Sequence, residues 1–262
     1  MPRSPISLTT DFGAGSPYVA QLKGVILTIQ PQAVLVDLTH AILPQNVRQA
    51  ALVLEDVSGC FPPGSIHVAV VDPGVGTDRR LLAAEIAGRY YLAPDNGLLG
   101  RLIASAPTAR VVALTQRAFW LPSVSATFHG RDIMAPVAAQ LSLGTALEDL
   151  GEPCDNPIQL AWPAATSDKN RVQGEVQAID SFGNLITNIS RELLIEAGEA
   201  AVIQCGGRTI SGMTDTYGRC SPGSLIALVD SSNRLEIAVV NGSAAVELRA
   251  EVGDVVSVLW PR

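Results

Sequence analysis

Apolar and polar positions along the chain follow two rhythms. Through roughly the first 160 residues, short apolar runs alternate with segments whose apolar side chains recur every three or four positions, as strands alternating with helices do. ISLTTDFG predicts a first strand; Val19, Leu22, Ile26 and Ile29 mark a helix, and AVLVDLTH a second strand. Val47, Ala50, Leu54 and Val57 mark another helix, SIHVAVVD a third strand, and LLAAEIA-GR-YYLAP a hairpin on a glycine-containing turn. ARVVALT predicts one more strand, and Met134, Val137 and Leu141 a helix after FHGRD, terminated at Gly144. This alternation predicts an α/β domain with a mostly parallel sheet.

From Val172 onward helical periodicity is scarce. VQGEVQAID, NLITNIS, AAVIQC, RTISG, SLIALVD, RLEIAVV, AAVELR and VVSVLW predict short strands between glycine and asparagine turns, hence an all-β carboxyl-terminal barrel domain, small and antiparallel. The expected division is an α/β domain over 1–162, a linker over 163–171 and the barrel domain over 172–262.

Composition narrows the functional classes. The 262 residues are 47% hydrophobic, ample for packed cores, and carry a net charge of −7 with no block of lysine or arginine. A nucleic-acid or anionic-membrane footprint is missing, so small molecules or other protein chains are the expected partners. MPRSPISLTT lacks the apolar core of a secretory signal and no stretch reaches bilayer length, so a cytoplasmic location is expected. Cys60, Cys154, Cys205 and Cys220 form no CxxC pair and read as four reduced thiols.

Candidate chemistry gathers where strands end. Asp11, Asp37 and Asp72 each follow an apolar run, and in open α/β sheets ligands bind outside the carboxyl ends of the strands. In HVAVVDPGVGTDRR the loop after Asp72 has neither a dinucleotide fingerprint nor a phosphate-loop lysine. Folding back, it would bring Arg79 to Asp72, which makes either a site or a buried salt bridge. His40 and His67 sit in or at the end of strands and default to structural roles; His129, in TFHGRDIMAP, stands at a helix start whose dipole favours a neutral ring. Gly130 beside it admits close approach of a ligand. Asp72, Arg79 and His129 can thus converge on a water molecule, with His129 or Asp72 as the base, since arginine cannot serve. No G-x-S-x-G nucleophile and no HExxH metal motif competes.

TDFG followed by Y-V-x-x-x-K-G, then DLTH, GSIHVAVVDPGVGT-x-R, YYLAPDNGLL, TFHGRDIMAPVAA and IDSFGNLITNI together resemble the S-adenosyl-L-methionine (SAM) hydroxide adenosyltransferase family, relatives of fluorinase and chlorinase. The resemblance implies hydrolysis of SAM to adenosine and L-methionine, without metal or other cofactor. It also implies a homotrimer whose sites lie between one subunit's first domain and its neighbour's second. Its catalytic Asp, Arg and His fall on Asp72, Arg79 and His129. It gives Asp11 the ribose hydroxyls, Phe182 and Asn184 the adenine, and Asp180 the methionine ammonium; Phe128, Gly130, Ser231 and Asn241 join the substrate contacts. The fluorinating relatives carry tyrosine at Asp72 and His129 and a halide-contacting serine at Gly130. Their ribose-flanking tryptophan corresponds to Gln45 and their carboxylate-binding arginine to Ser232. Two alternatives stay open: a halide-using adenosyltransferase making a 5′-halo-5′-deoxyadenosine, and a SAM- or adenosine-binding sensor.

Overall fold

In the amino-terminal half, β1 (Ile6–Thr10), β2 (Leu35–Thr39) and β3 (Ile66–Val70) are parallel neighbours, so their carboxyl ends open on one edge of the sheet. The structure is a computed structural model and describes residues 4–261. It divides into two compact units, 1–160 and 161–262.

The first sheet continues with β4 (Leu81–Ile86), β5 (Arg89–Pro94), β6 (Arg110–Leu114) and β7 (Gly151–Pro153) in the order β2-β1-β3-β5-β4-β6-β7. Pairing is parallel from β2 through β5 and antiparallel from β5 through β7, a mixed sheet rather than the mostly parallel one expected. The hairpin at Ala87-Gly88 is the cause. Both turn residues have positive φ, 49° and 72°, as a two-residue turn between twisted strands requires, and β4 is thereby reversed.

Strand side chains alternate between faces, and each face has its own helices. Ile66, Val68 and Val70 join a core with Leu22 and Ile26 of α1 (Pro17–Ile29). Ala69 and Val71 join a second core with Ala50 and Leu54 of α2 (Val47–Ser58) and Leu102 of α3 (Gly100–Ala104). Val137 and Leu141 of α4 (Ala135–Ser142) pack in the first core, the stripe read from the sequence, and Gly144 follows with φ 99°. A π-helical turn, Gly130–Met134, leads into α4. Among the described residues no helix is long and apolar enough to cross a membrane.

The second unit is an antiparallel, nearly closed barrel. Its strands are β8 (Thr166–Asp168), β9 (Arg171–Ile179), β10 (Leu185–Ser190), β11 (Val202–Cys205), β12 (Arg208–Ser211), β13 (Leu225–Val229), β14 (Arg234–Val239) and β15 (Val255–Leu259). The main path is β12-β11-β15-β9-β10-β14-β13, and β8, within the segment expected as linker, pairs with β9. The two ends of the path meet where Thr214 N–H donates to the Ala227 carbonyl at 2.9 Å. Alternate residues such as Val172, Val176, Leu235 and Ile237 fill the interior.

AAVELR, expected as a strand, instead contains α5 (Ala244–Leu248). Ser243 caps it by accepting from Val246 N–H, and Ala245 N–H donates to the Gly183 carbonyl at 2.9 Å. Alanine, glutamate and leucine are good helix formers, and the cap decides between the two readings of a five-residue stretch.

Candidate active site

The Asp72 loop is built from two successive turns. Val75 N–H donates to the Asp72 carbonyl and Thr77 N–H to that of Gly74, both at 3.2 Å, which reverses the chain. Arg79 then meets Asp72: Nε donates to Oδ1 at 2.7 Å and to Oδ2 at 2.9 Å, and Nη2 also donates to Oδ2. Their side chains are only 7% and 10% exposed for Asp72 and Arg79, so the pair is desolvated and holds its geometry.

The same loop is pressed against the segment that carries His129. Gly76 has φ 84°, and a Cβ there would lie 2.5 Å from the Ala126 carbonyl oxygen, so only glycine fits. Asp132, fully buried, accepts from Ser125 N–H at 2.8 Å and pairs with Arg131, fixing the 121–129 segment from its other side. Gly130 sits on β3, where a Cβ would come within 2.9 Å of Val70. The absence of a Cβ at Gly130 is thus used in part for packing against Val70.

These constraints put His129 Nδ1 3.0 Å from Arg79 Nη1. A guanidinium has no acceptor, so Arg79 donates to the Nδ1 lone pair, and the neutral ring carries its proton on Nε2. Burial first, then the Arg79 charge, pushes the His129 pKa below the ordinary imidazole value, against the opposing pull of Asp72 and Asp132. The neutral ring expected from the helix start is supported here by burial and by Arg79.

Of the other strand-end acids, Asp11 joins this edge and Asp37 does not. Asp11 Oδ2 accepts from Gln45 N–H at 2.8 Å, and Gln45 adopts φ 64° to present it. Asp37 lies inside β2, opposite Leu8 of β1, and is paired with Lys23 at 2.6 Å and His40 at 3.0 Å. Burial raises its pKa, but the hydrogen bonds from Lys23 and His40 outweigh it and the net shift is downward. His40 Nδ1 in turn lies 2.9 Å from Thr10 Oγ1, and the His40 carbonyl accepts from Gly13 N–H at 2.8 Å, so this network braces the Asp11 loop.

A feature missed in the sequence is an edge-to-face cluster of Phe12, Tyr18 and Phe128, with ring centroids 5.4 to 5.7 Å apart. It joins the residue after Asp11 to the residue before His129. Phe12 and Tyr18 lie within the TDFG and Y-V-x-x-x-K-G stretches, where their six-residue separation hid the contact.

The barrel unit holds its own cavity, of about 540 Å³, lined by Asp180, Phe182, Asn184, Tyr217 and Asn241 among others. Asp180 organises the D-S-F-G-N loop: Oδ1 accepts from Phe182 N–H and Asn184 N–H, and Oδ2 from the Asn184 amide, each at 2.9 Å. Gly183, with φ 82°, seats this loop against Ser243, which a Cβ would strike at 2.0 Å. Phe182 is 76% exposed and presents a bare aromatic face. Tyr217 donates to the buried Glu236 at 2.5 Å; burial raises the pKa of both groups. Ser231 is exposed in the β13–β14 turn and does not line the cavity.

Among the described residues, no group of three or more His, Cys, Asp or Glu side chains is arranged to hold a metal ion. All four cysteines are free thiols, Cys154 and Cys205 buried.

Comparison with known proteins supplies the family. The chain matches the model of the SAM hydroxide adenosyltransferase N-terminal domain over residues 6–151 and that of the C-terminal domain over residues 174–257. It is 38% identical to the (R)-S-adenosyl-L-methionine hydrolase of Salinispora tropica over 253 residues, 95% of each chain. The crystal structure of an uncharacterized conserved protein from Thermotoga maritima superposes with a TM-score of 0.92 at 35% identity, covering 97% of this chain and 99% of that one. A fluorinase from Actinopolyspora mzabensis is more distant, 29% identical over 220 residues, 74% of each chain. The chain belongs to the SAM hydroxide adenosyltransferase family.

Proposed function

We propose that this protein hydrolyses SAM to adenosine and L-methionine by attack of a water-derived oxygen on the ribose C5′ carbon. The observation that carries the reading is the Asp72–Arg79–His129 chain of hydrogen bonds, a set of polar groups fitted to hold one solvent oxygen. The (R)-S-adenosyl-L-methionine hydrolase of Salinispora tropica, which the chain covers almost end to end, supports the substrate.

The sulfonium leaves as a neutral thioether, so no acid is needed at sulfur. Work remains at the nucleophile. Arg79 has no lone pair and His129 Nδ1 is occupied, so Asp72 is the member of the three with acceptor capacity to spare and takes the proton. His129 donates from Nε2 to the attacking oxygen, and the Arg79 charge stabilises the hydroxide as it forms. Alignment behind C5′ contributes up to about 7–11 kcal/mol at its favourable limit.

The remaining assignments follow from open hydrogen-bonding positions. Asp11 keeps Oδ1 and further lone pairs for the ribose hydroxyls beyond its bond to Gln45. Phe182 stacks on the purine, and Asn184, whose amide is given to Asp180, accepts from the adenine amine through Oδ1. Asp180 shapes this loop and faces the methionine ammonium, with Asn241 on the cavity wall. Phe128 and Gly130 flank the reacting carbon, and Ser231 is the outermost contact. Catalytic groups lie in one unit and the adenine cavity in the other, and this reading joins them in a cytoplasmic homotrimer in which each subunit's cavity closes its neighbour's catalytic edge. No metal or organic cofactor takes part in it.

The test is product analysis with SAM, with and without chloride. Adenosine and methionine accumulating over many turnovers in both buffers is expected. A 5′-chloro nucleoside, or release that stops at one adenosine per site, would overturn the assignment.

A further inference from the structure

Beside Arg79 and His129 lies a second cavity of about 540 Å³ in the first unit. It is walled by Thr77, Leu114, Arg117, Trp120 and Pro122, and shares Arg79 and His129 with the catalytic chain; Asp11, Asp72 and Phe128 are not part of it. No carboxylate lines this cavity among the described residues, while three arginines do.

Donor capacity in its wall is unused. Arg79 is committed to Asp72 and His129, and Arg80 to Asp95 and Asn156. Arg117 is exposed, has no carboxylate partner among the described residues, and lies over the Trp120 ring at 5.5 Å, which holds its planar fork in place. The indole N–H of Trp120 is buried without a hydrogen-bond partner, an arrangement that costs free energy unless something accepts from it. His129 contributes Nε2–H as argued above. A wall that brings together the Arg117 guanidinium, the Trp120 indole and the His129 imidazole, with no acidic group in its lining among the described residues, matches a small oxyanion, with several acceptor oxygens around one centre.

We propose that this cavity binds a small oxyanion of the phosphate class and that its occupancy slows hydrolysis by drawing the His129 Nε2–H away from the nucleophile. Only the effect on rate rests on the proposed SAM hydrolysis; binding itself does not.

The test titrates the whole protein, in phosphate-free buffer at constant chloride, with inorganic phosphate and separately with ribose 5-phosphate, by calorimetry and by tryptophan fluorescence. Saturable binding of either, weakened at least tenfold in Arg117→Gln and partly restored in Arg117→Lys, is expected, and the tighter of the two names the source of the phosphate group. In the SAM assay, phosphate should lower kcat with KM unchanged, and Arg117→Gln should keep the basal rate while losing this inhibition. Absence of saturable binding by both probes, or binding unchanged in Arg117→Gln, overturns the proposal while leaving the hydrolase reading standing. Calorimetry reads binding even if SAM is not turned over, so the two can fail separately.

Discussion

Arg79 sets the states of both its neighbours. It fixes the direction of the Asp72 carboxylate and, by donating to Nδ1, the tautomer of His129. Removing Arg79 would strand a buried carboxylate at a cost of about 3–5 kcal/mol, so His129→Ala is the cleaner probe. It should lower kcat by about 10²–10³, the usual loss of one oxyanion donor, while the dissociation constant for adenosine changes little; comparable losses in both would assign His129 to binding. Protonating His129 fills Nδ1 and sets two cations against each other. Because burial and Arg79 push its pKa below the ordinary value of about 6.5, kcat should hold as pH falls through that value and decline only below it. A profile that already falls at or above pH ~6.5 would contradict the assigned state. At this scale the sequence revealed Asp72, Arg79 and His129, because a strand-end acid, a flexible loop and a helix-start histidine are local signals. It did not reveal that Asp37 is spent on Lys23 and His40, nor that Arg117 packs on Trp120, because those depend on side-chain directions.

Two elements hold the Asp72–Arg79–His129 set: the loop after β3 and the segment before the π turn. Their contact passes through Gly76, so Gly76→Ala combines a left-handed φ with a backbone clash at 2.5 Å. It should destabilise the first unit by about 2 kcal/mol or more and reduce kcat, since the loop must shift Arg79 to relieve it; urea unfolding and kinetics indistinguishable from the parent would refute this. Within β3, His67 is buried, bonded to Ser7 at 2.7 Å and stacked on Tyr91. Burial, then Arg89, lowers its pKa to about 4. The unfolded chain binds this proton first, near pH 6.5, so the stability it reflects is whole above that pH and is lost as pH falls toward 4, about 3 kcal/mol in all. A urea midpoint unchanged between pH 7.5 and 4.5 would contradict that. The strands and long helices were legible because burial imposes periodicity. The sheet's change from parallel to antiparallel was implicit in the Ala87-Gly88 hairpin, and α5 was not legible because five residues carry no period and its cap lies outside them.

At the scale of the molecule, the chain places the hydrogen-bonded Asp72–Arg79–His129 set in one unit and an aromatic, amide-lined cavity in the other. The division was visible in the change of rhythm along the sequence, because helices and strands impose different periods on the apolar positions. The proposed reaction is defined by the atom that water attacks. Turnover of SAM in H₂¹⁸O, with mass analysis of both products, reads this directly. One ¹⁸O in the 5′-hydroxyl of adenosine and none in methionine is expected. Methylthioadenosine with a labelled four-carbon fragment, or adenosine without label, would contradict it.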